Sequence, residues 1–234
     1  TRLINPEARY HYCSEILRKS FYDGSRWNMD ECDSHTIFVS QGYYPIKGLH
    51  YMLEALGDIR KFYPDARLRV AGGVSLNNAG LKNRLKQKNY QRYLAELIEK
   101  YSLAGCVEFL PPLKADEMKK MYLKSNVFVS PSSIENSPNS LGEAMMLGVP
   151  CVSSLVGGVG NMLINGAEGF TYQHDAPYML AYYVMEIFRL QKENRQQLAD
   201  MTDMAHSHAM SLFDSEKNAA NMLEIYSGIE RIKR

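Results

Sequence analysis

The sequence predicts an α/β protein: a doubly wound parallel sheet with extra helices at its carboxyl end. Three observations predict it. Short apolar, β-branched runs alternate with longer stretches whose apolar residues recur at helical spacing, which is the strand-helix alternation of a parallel sheet. The loops leading from strand to helix are rich in Gly, Ser, Asn and Pro, as expected where such a sheet opens to a ligand at its carboxyl edge. The 234 residues, 45% hydrophobic and 23% charged, suffice for a sizeable core in one large or two small domains.

In chain order, Glu7 to Lys19 reads as a helix after Pro6, with Tyr10, Cys13, Ile16 and Leu17 at helical spacing. Phe21 to Ser34 mixes aromatic residues, Gly, Asn and Asp around the single Trp27, and reads as an inter-domain connection whose aromatics pack either on this domain or on another. Its Asp30-Glu31-Cys32-Asp33 run follows no strand and reads as a polar loop rather than a metal site. His35 to Ser40 is the first strand, and a helix with Leu49, Met52, Leu53, Leu56, Ile59 and Tyr63 on one face follows. Between them, Gly42, Tyr43, Lys47 and Gly48 form a Gly-bearing turn with one cation. Its N–H groups and ammonium could cradle a diphosphate, although a Lys at a helix start is also commonly solvated.

Arg67 to Ala71 is the second strand, ending at Gly72 and Gly73, where missing side chains allow close approach of a ligand or form a plain turn. A polar segment with the Lys82 to Lys88 cluster precedes a helix striped with Tyr90, Tyr93, Leu94, Leu97, Ile98 and Tyr101, a core pattern. Val107 to Leu110 is the third strand, then Pro111, Pro112 and a helix from about Ala115 to Leu123. Val127 to Val129 is the fourth, Val149 to Ser153 the fifth and Glu168 to Tyr172 the last. Ala176 to Leu190, Arg195 to Met210 and Ser215 to Ile229 are amphipathic helices. His206 and His208, two apart, point about 200° from each other on a helix, which is poor metal-ligand geometry.

The stretch from Val127 to Val152 carries the chemistry. After its strand come turn formers from Ser130 to Asn139 and a helix-forming block, Glu143 to Leu147, closed by Gly148 and Pro150. Glu135 lies on the loop and Glu143 in the first turns of the helix, with seven residues between them. If the helix starts near Ser137 or Ser140, both carboxylates converge on one concave site beside N–H groups at the positive end of the helix dipole. Carboxylates accept from hydroxyls and N–H groups hold an anion, so the pair suits a ligand bearing both. Ser140 to Glu143 also matches a capping box, in which Glu143 bonds back to the Ser140 N–H and has no ligand role.

Several classes are disfavoured. A formal net charge of +1 with interspersed signs gives no footprint for nucleic acid. No apolar run approaches the ~18 residues of a membrane span. The four cysteines, Cys13, Cys32, Cys106 and Cys151, lack CxxC spacing and read as reduced thiols of a cytoplasmic protein, with peripheral membrane association left open. Gly158 and Gly160 begin a dinucleotide fingerprint that has no third Gly and no closing acidic residue, which argues against an oxidoreductase.

Glu135, seven residues, then Glu143 followed by Ala144-Met145-Met146-Leu147-Gly148-Val149-Pro150 and a β-branched strand resembles the donor-site signature of family-4 retaining glycosyltransferases of the GT-B fold. The resemblance covers most of the chain. It implies a Rossmann-like domain that binds a nucleotide-sugar, with Glu135 against the donor sugar and Glu143 on the ribose hydroxyls. Asn136, Ser137, Asn139, Ser140 and Leu141 complete the donor site between them. Lys47-Gly48 matches a Lys-Gly that holds the diphosphate, making Glu135 and Lys47 the expected catalytic residues. The family's accompanying Arg is absent: its position is Tyr43 aligned from Gly42, and Gly42 aligned from Lys47. The Gly-Gly loop at Gly158 is a further donor contact by resemblance, through its N–H, and Gly73 stands as a candidate donor contact from its missing side chain alone. Leu110, Pro111 and Met118 are expected near the nucleobase or in plain packing.

The expected organisation is a connection with an N-terminal helix over 1–34, the nucleotide-sugar-binding domain over 35–212 and a crossover helix over 213–234. The chain begins at Thr1 without an initiator Met, as a fragment would, and the resemblance implies a separate amino-terminal domain for a sugar or lipid-linked acceptor. No metal or other cofactor is expected. The implied activity is transfer of a hexose-type sugar with retention, in surface polysaccharide or glycoconjugate synthesis. The alternative is a degenerate, non-catalytic donor-binding or scaffold subunit.

Overall fold

A computed structural model describes residues 3–72 and 89–232. Gly73 and the Lys82 to Lys88 cluster lie outside the described residues. Six strands form one sheet: β1 (Asp33–Val39), β2 (Arg67–Val70), β3 (Val107–Phe109), β4 (Ser125–Ser130), β5 (Cys151–Ser154) and β6 (Phe170–Tyr172). Their order is β3-β2-β1-β4-β5-β6, all parallel. The register sets Ile37 beside Leu68 on one side and Val127 on the other, and Phe128 beside Cys151. Strands covered on both faces need continuous rather than alternating apolar runs, and every residue of β4 and β5 is buried. The expected doubly wound sheet is therefore present, with strand bounds within a few residues of those read from the sequence.

Seven α-helices are described: α1 (Leu49–Ile59), α2 (Asn89–Lys100), α3 (Ala115–Lys124), α4 (Asn139–Met146), α5 (Pro177–Glu193), α6 (Arg195–Leu212) and α7 (Ser215–Ile232). The apolar stripe of α1 is buried at Leu49, Met52, Leu53, Leu56 and Ile59, as its spacing predicts. This helix packs on α2 and α5, while α4 packs on α6 and on a 3-10 turn at Lys19–Tyr22. Among the described residues no helix is long and apolar enough to cross a membrane.

The amino-terminal segment differs from expectation: Glu7 to Lys19 is not a helix. Of its expected stripe only Leu17 is buried, Tyr10 and Ile16 being exposed, and a short helix without a continuous buried face is marginal in water. The segment instead runs along the domain, Asn221 donating to the Tyr12 carbonyl at 2.9 Å and Asn139 to Glu15 at 2.5 Å. Beyond it, Phe21 and Trp27 enter the core of this domain. The Trp27 indole N–H donates to the Ser125 carbonyl at 2.8 Å and its backbone N–H to that of Leu147 at 2.7 Å. Leu17, also buried, leaves the adjacent Arg18 facing the carboxyl edge of the sheet.

Candidate functional site

Going outward from the middle of the sheet, the chain runs β1, β2, β3 to one side and β4, β5, β6 to the other. The crevice between the ends of β1 and β4 is the topological switch point, where open α/β sheets take ligands. Two loops form it. The one after β1 closes in a 3-10 turn, Pro45–Lys47, and the other runs from Pro131 to Pro138.

The loops are fastened by backbone contact. Ser133 donates its N–H to the Ile46 carbonyl at 2.8 Å. Gly48 is left-handed, φ 69°, and a Cβ there would lie 1.8 Å from the Pro131 carbonyl oxygen. Only Gly combines that conformation with that approach. On the other flank, a Cβ at Gly157 would lie 1.6 Å from the Glu135 carbonyl oxygen, and the Gly158 N–H donates to the Asn136 carbonyl at 2.8 Å. The Gly158 N–H, expected to face a diphosphate, is spent on holding the Glu135 loop.

This clamp places the side chains. Lys47 Nζ is 2.6 Å from Glu135 Oε1, which also accepts from Ser132 Oγ at 2.7 Å. Both charged side chains are largely buried, so their attraction is less screened than that of a surface pair. Glu143 is 4% exposed on α4. The capping box is not formed: the N-cap is Pro138, with no side-chain cap. Both Glu143 oxygens instead accept from Arg18, Nε to Oε1 at 2.6 Å and Nη2 to Oε2 at 2.7 Å. That hydrogen bonding raises the Arg18 pKa above its usual value. Beneath it, Tyr122 donates to the Ser140 carbonyl at 3.0 Å, and burial lifts its phenol well above the ordinary tyrosine range.

Two recesses result. One, about 260 Å³, is lined by Arg18, Met118, Tyr122, Asn139 and Glu143, and the other by Lys47, Ser132 and Glu135. They adjoin along Ser40, Gln41 and Ser140, which line both. Asn139 and Ser140 open α4, so their N–H groups have no acceptor within the helix. A larger cavity of about 780 Å³ lies away from both carboxylates, between Arg9 and His11 and the helix α7.

Of the other expected site residues, Gly42 is buried and Tyr43 half-buried, with its ring edge-on to Tyr44. Asn136 and Ser137 are exposed at the loop, Ser137 donating to the Met162 sulfur at 3.7 Å, while Leu141 is buried in the core. Leu110, half-buried, continues β3 through its N–H to the Val70 carbonyl at 2.8 Å, and Pro111 is exposed. His206 and His208 do not meet. The first contacts the Met146 carbonyl and the second Glu168, at 2.6 and 2.9 Å. Sequence reasoning missed Arg18, which sat inside a predicted helix 125 positions from its partner. No local signal could have linked the two.

Fold and crevice define a class: a Rossmann-like α/β domain whose switch point carries two carboxylates, each held by a cation. The profile of the glycosyl transferases group 1 family matches residues 27–202, and the chain belongs to that family. It is 27% identical over 186 residues to a D-inositol 3-phosphate glycosyltransferase of Corynebacterium urealyticum, covering 79% of this chain and 41% of that one. It is 28% identical over 151 residues to a putative colanic acid biosynthesis glycosyltransferase of Salmonella typhimurium, covering 62% and 34%. The chain thus spans less than half the length of these relatives. Among solved structures, it resembles Anabaena HepE in complex with UDP and glucose, with TM-score 0.68, 21% identity and coverage of 83% of this chain and 48% of that one. It also resembles a glycosyltransferase from Rickettsia africae, with TM-score 0.75, 16% identity and coverage of 92% and 56%. At these identities the structural likeness speaks to fold alone.

Proposed function

We propose that this chain is the carboxyl-terminal, donor-binding half of a family-4 retaining glycosyltransferase. It binds a nucleoside-diphosphate sugar of the hexose type at the β1/β4 crevice. A separate amino-terminal domain supplies the sugar or lipid-linked acceptor, and the product belongs to a surface polysaccharide or glycoconjugate made on the cytoplasmic side. The observation that carries this reading is the pair of adjoining recesses, each with one carboxylate at hydrogen-bonding depth. In the first, Glu143 accepts from the ribose hydroxyls. In the second, Glu135 accepts from the donor sugar.

Between them lies the diphosphate, facing Lys47 and the N–H groups of Asn139 and Ser140. When the anomeric C–O bond breaks, its electron pair goes to the diphosphate oxygen. A fixed ammonium and the helix N-terminus stabilise that charge where it develops, with no metal in the scheme.

Calorimetric titration with UDP, GDP and ADP tests the reading, repeated on Glu143→Ala and Lys47→Ala. A hydrogen bond to a charged group contributes about 1.5–3 kcal/mol, so the preferred nucleotide should lose roughly tenfold or more in Glu143→Ala. If none of the three nucleotides binds, or both variants bind as the parent does, the donor-site assignment fails. Retained donor binding without transfer by the complete enzyme would instead identify a scaffold subunit.

A further inference from the structure

Among the described residues lining the two recesses, the charged groups are Arg18, Lys47, Glu135 and Glu143. They form two ion pairs at 2.6 Å, Arg18 with Glu143 and Lys47 with Glu135. The crevice is therefore locally neutral, with both cations spent on carboxylates. An anion carrying several negative charges gains little from a cation already neutralised by its neighbour. Binding one strongly requires that the pairs part.

A ligand with hydroxyls on either side of its phosphates can do this. Each hydroxyl donates to a carboxylate and takes the place of the cation there. The two partners of the Glu143 pair differ in freedom. Glu143 sits on α4 with its side chain 6% exposed, whereas the Arg18 side chain, 41% exposed, is held besides Glu143 by the Phe21 ring 5.0 Å from its guanidinium. Arg18 is the partner that can move. Ser40, Gln41 and Ser140 wall both recesses, so the neighbouring recess is directly beside it. The guanidinium fork that now grips two carboxylate oxygens has the geometry to grip two phosphate oxygens.

We infer that Arg18 is a diphosphate-binding residue of this site, stored on Glu143 in the empty crevice and released to the phosphates when ribose hydroxyls take the carboxylate. The inference rests on the proposed donor site and assigns it a second cation, drawn from the amino-terminal segment rather than from the β1 loop. Hydroxyls replace N–H donors at Glu143, and the freed guanidinium offsets part of the charge that the diphosphate brings.

The test compares a nucleoside diphosphate with its own nucleoside, using whichever of UDP, GDP or ADP the parent chain binds, by ligand-observed NMR that reaches millimolar affinities. Arg18→Gln keeps a donor for Glu143 and removes the charge. It should weaken the diphosphate tenfold or more while the nucleoside, no longer having to displace a cation from Glu143, binds as well as before or better. Arg18→Lys, which restores the charge without the fork and guards against a folding defect, should recover part of the diphosphate affinity. Tighter binding of both ligands to Arg18→Gln would mean that Arg18 only blocks the site, and overturns the inference. So does an unchanged diphosphate affinity, or an Arg18→Lys chain that binds no better than Arg18→Gln. A parent chain that binds none of the three nucleotides fails one step earlier, at the donor-site assignment, and removes this inference with it.

Discussion

Replacing Gly48 with alanine should separate the two loops that build the crevice. The residue holds φ 69°, which costs a non-glycine residue about 1–3 kcal/mol. The added Cβ would lie 1.8 Å from the Pro131 carbonyl oxygen, where real contacts essentially never fall under 3.0 Å. The difference, 3.0 less 1.8, means that the loops must part by at least 1.2 Å. That displacement strains the Ser133 to Ile46 hydrogen bond at the loop surface, whose loss adds about 0.5–1.5 kcal/mol. The sum is about 1.5–4.5 kcal/mol, which for a chain of this size lowers the melting midpoint by on the order of 10 °C. Lys47 precedes Gly48 directly, so the Lys47–Glu135 pair should open and nucleotide affinity fall with it. Gly24→Ala is the control: φ is 83°, but nothing lies within 4 Å of its Cβ, so it pays the conformational cost alone. Scanning calorimetry of both variants, with nucleotide titration, separates the terms. If Gly48→Ala melts with Gly24→Ala and binds as the parent does, the backbone clamp does not position Lys47.

Two further outcomes follow from burial and charge. Cys106 and Cys151 are buried, and burial raises both thiols above the usual range, so a disulfide reagent should leave them unmodified in the native chain and react once denaturant is added. Rapid native labelling of Cys151 would contradict the packing of β5. At low pH, Asp23 is held down to about 2 from 3.8 by its hydrogen bond to Lys119. A depressed carboxyl contributes stability above its unfolded pKa and loses it as pH falls through the folded one. Asp23→Asn should therefore flatten the decline in melting midpoint between roughly pH 4 and pH 2, and an unchanged acid profile would show that the pair contributes nothing.

Much of this protein is written in local pattern. The strands are legible because a sheet covered on both faces demands continuous apolar runs, as at Val127 to Val129, and α1 because its stripe repeats every three or four residues. Glu135 and Glu143 are legible as a pair because a strand, a loop and a short helix bring them to one edge. The same local reasoning fails at Glu7 to Lys19. Helical spacing there is real, but whether a stripe forms a helix depends on a surface to bury it, and the nearest surface takes only Leu17.

The sequence by itself determined the α/β class, the family resemblance and the carboxylates, since each depends on residues near one another in the chain. Only the tertiary structure decided what those carboxylates hold. Gly48 and Gly157 are glycines because backbone carbonyls from another loop stand against them, and that closeness exists only once β1, β4 and β5 lie side by side. Glu143 is partnered by Arg18 rather than by its own helix terminus, through a contact spanning 125 positions. Ion pairs form across space, and periodicity along a chain carries no information about which distant segment will be folded against it.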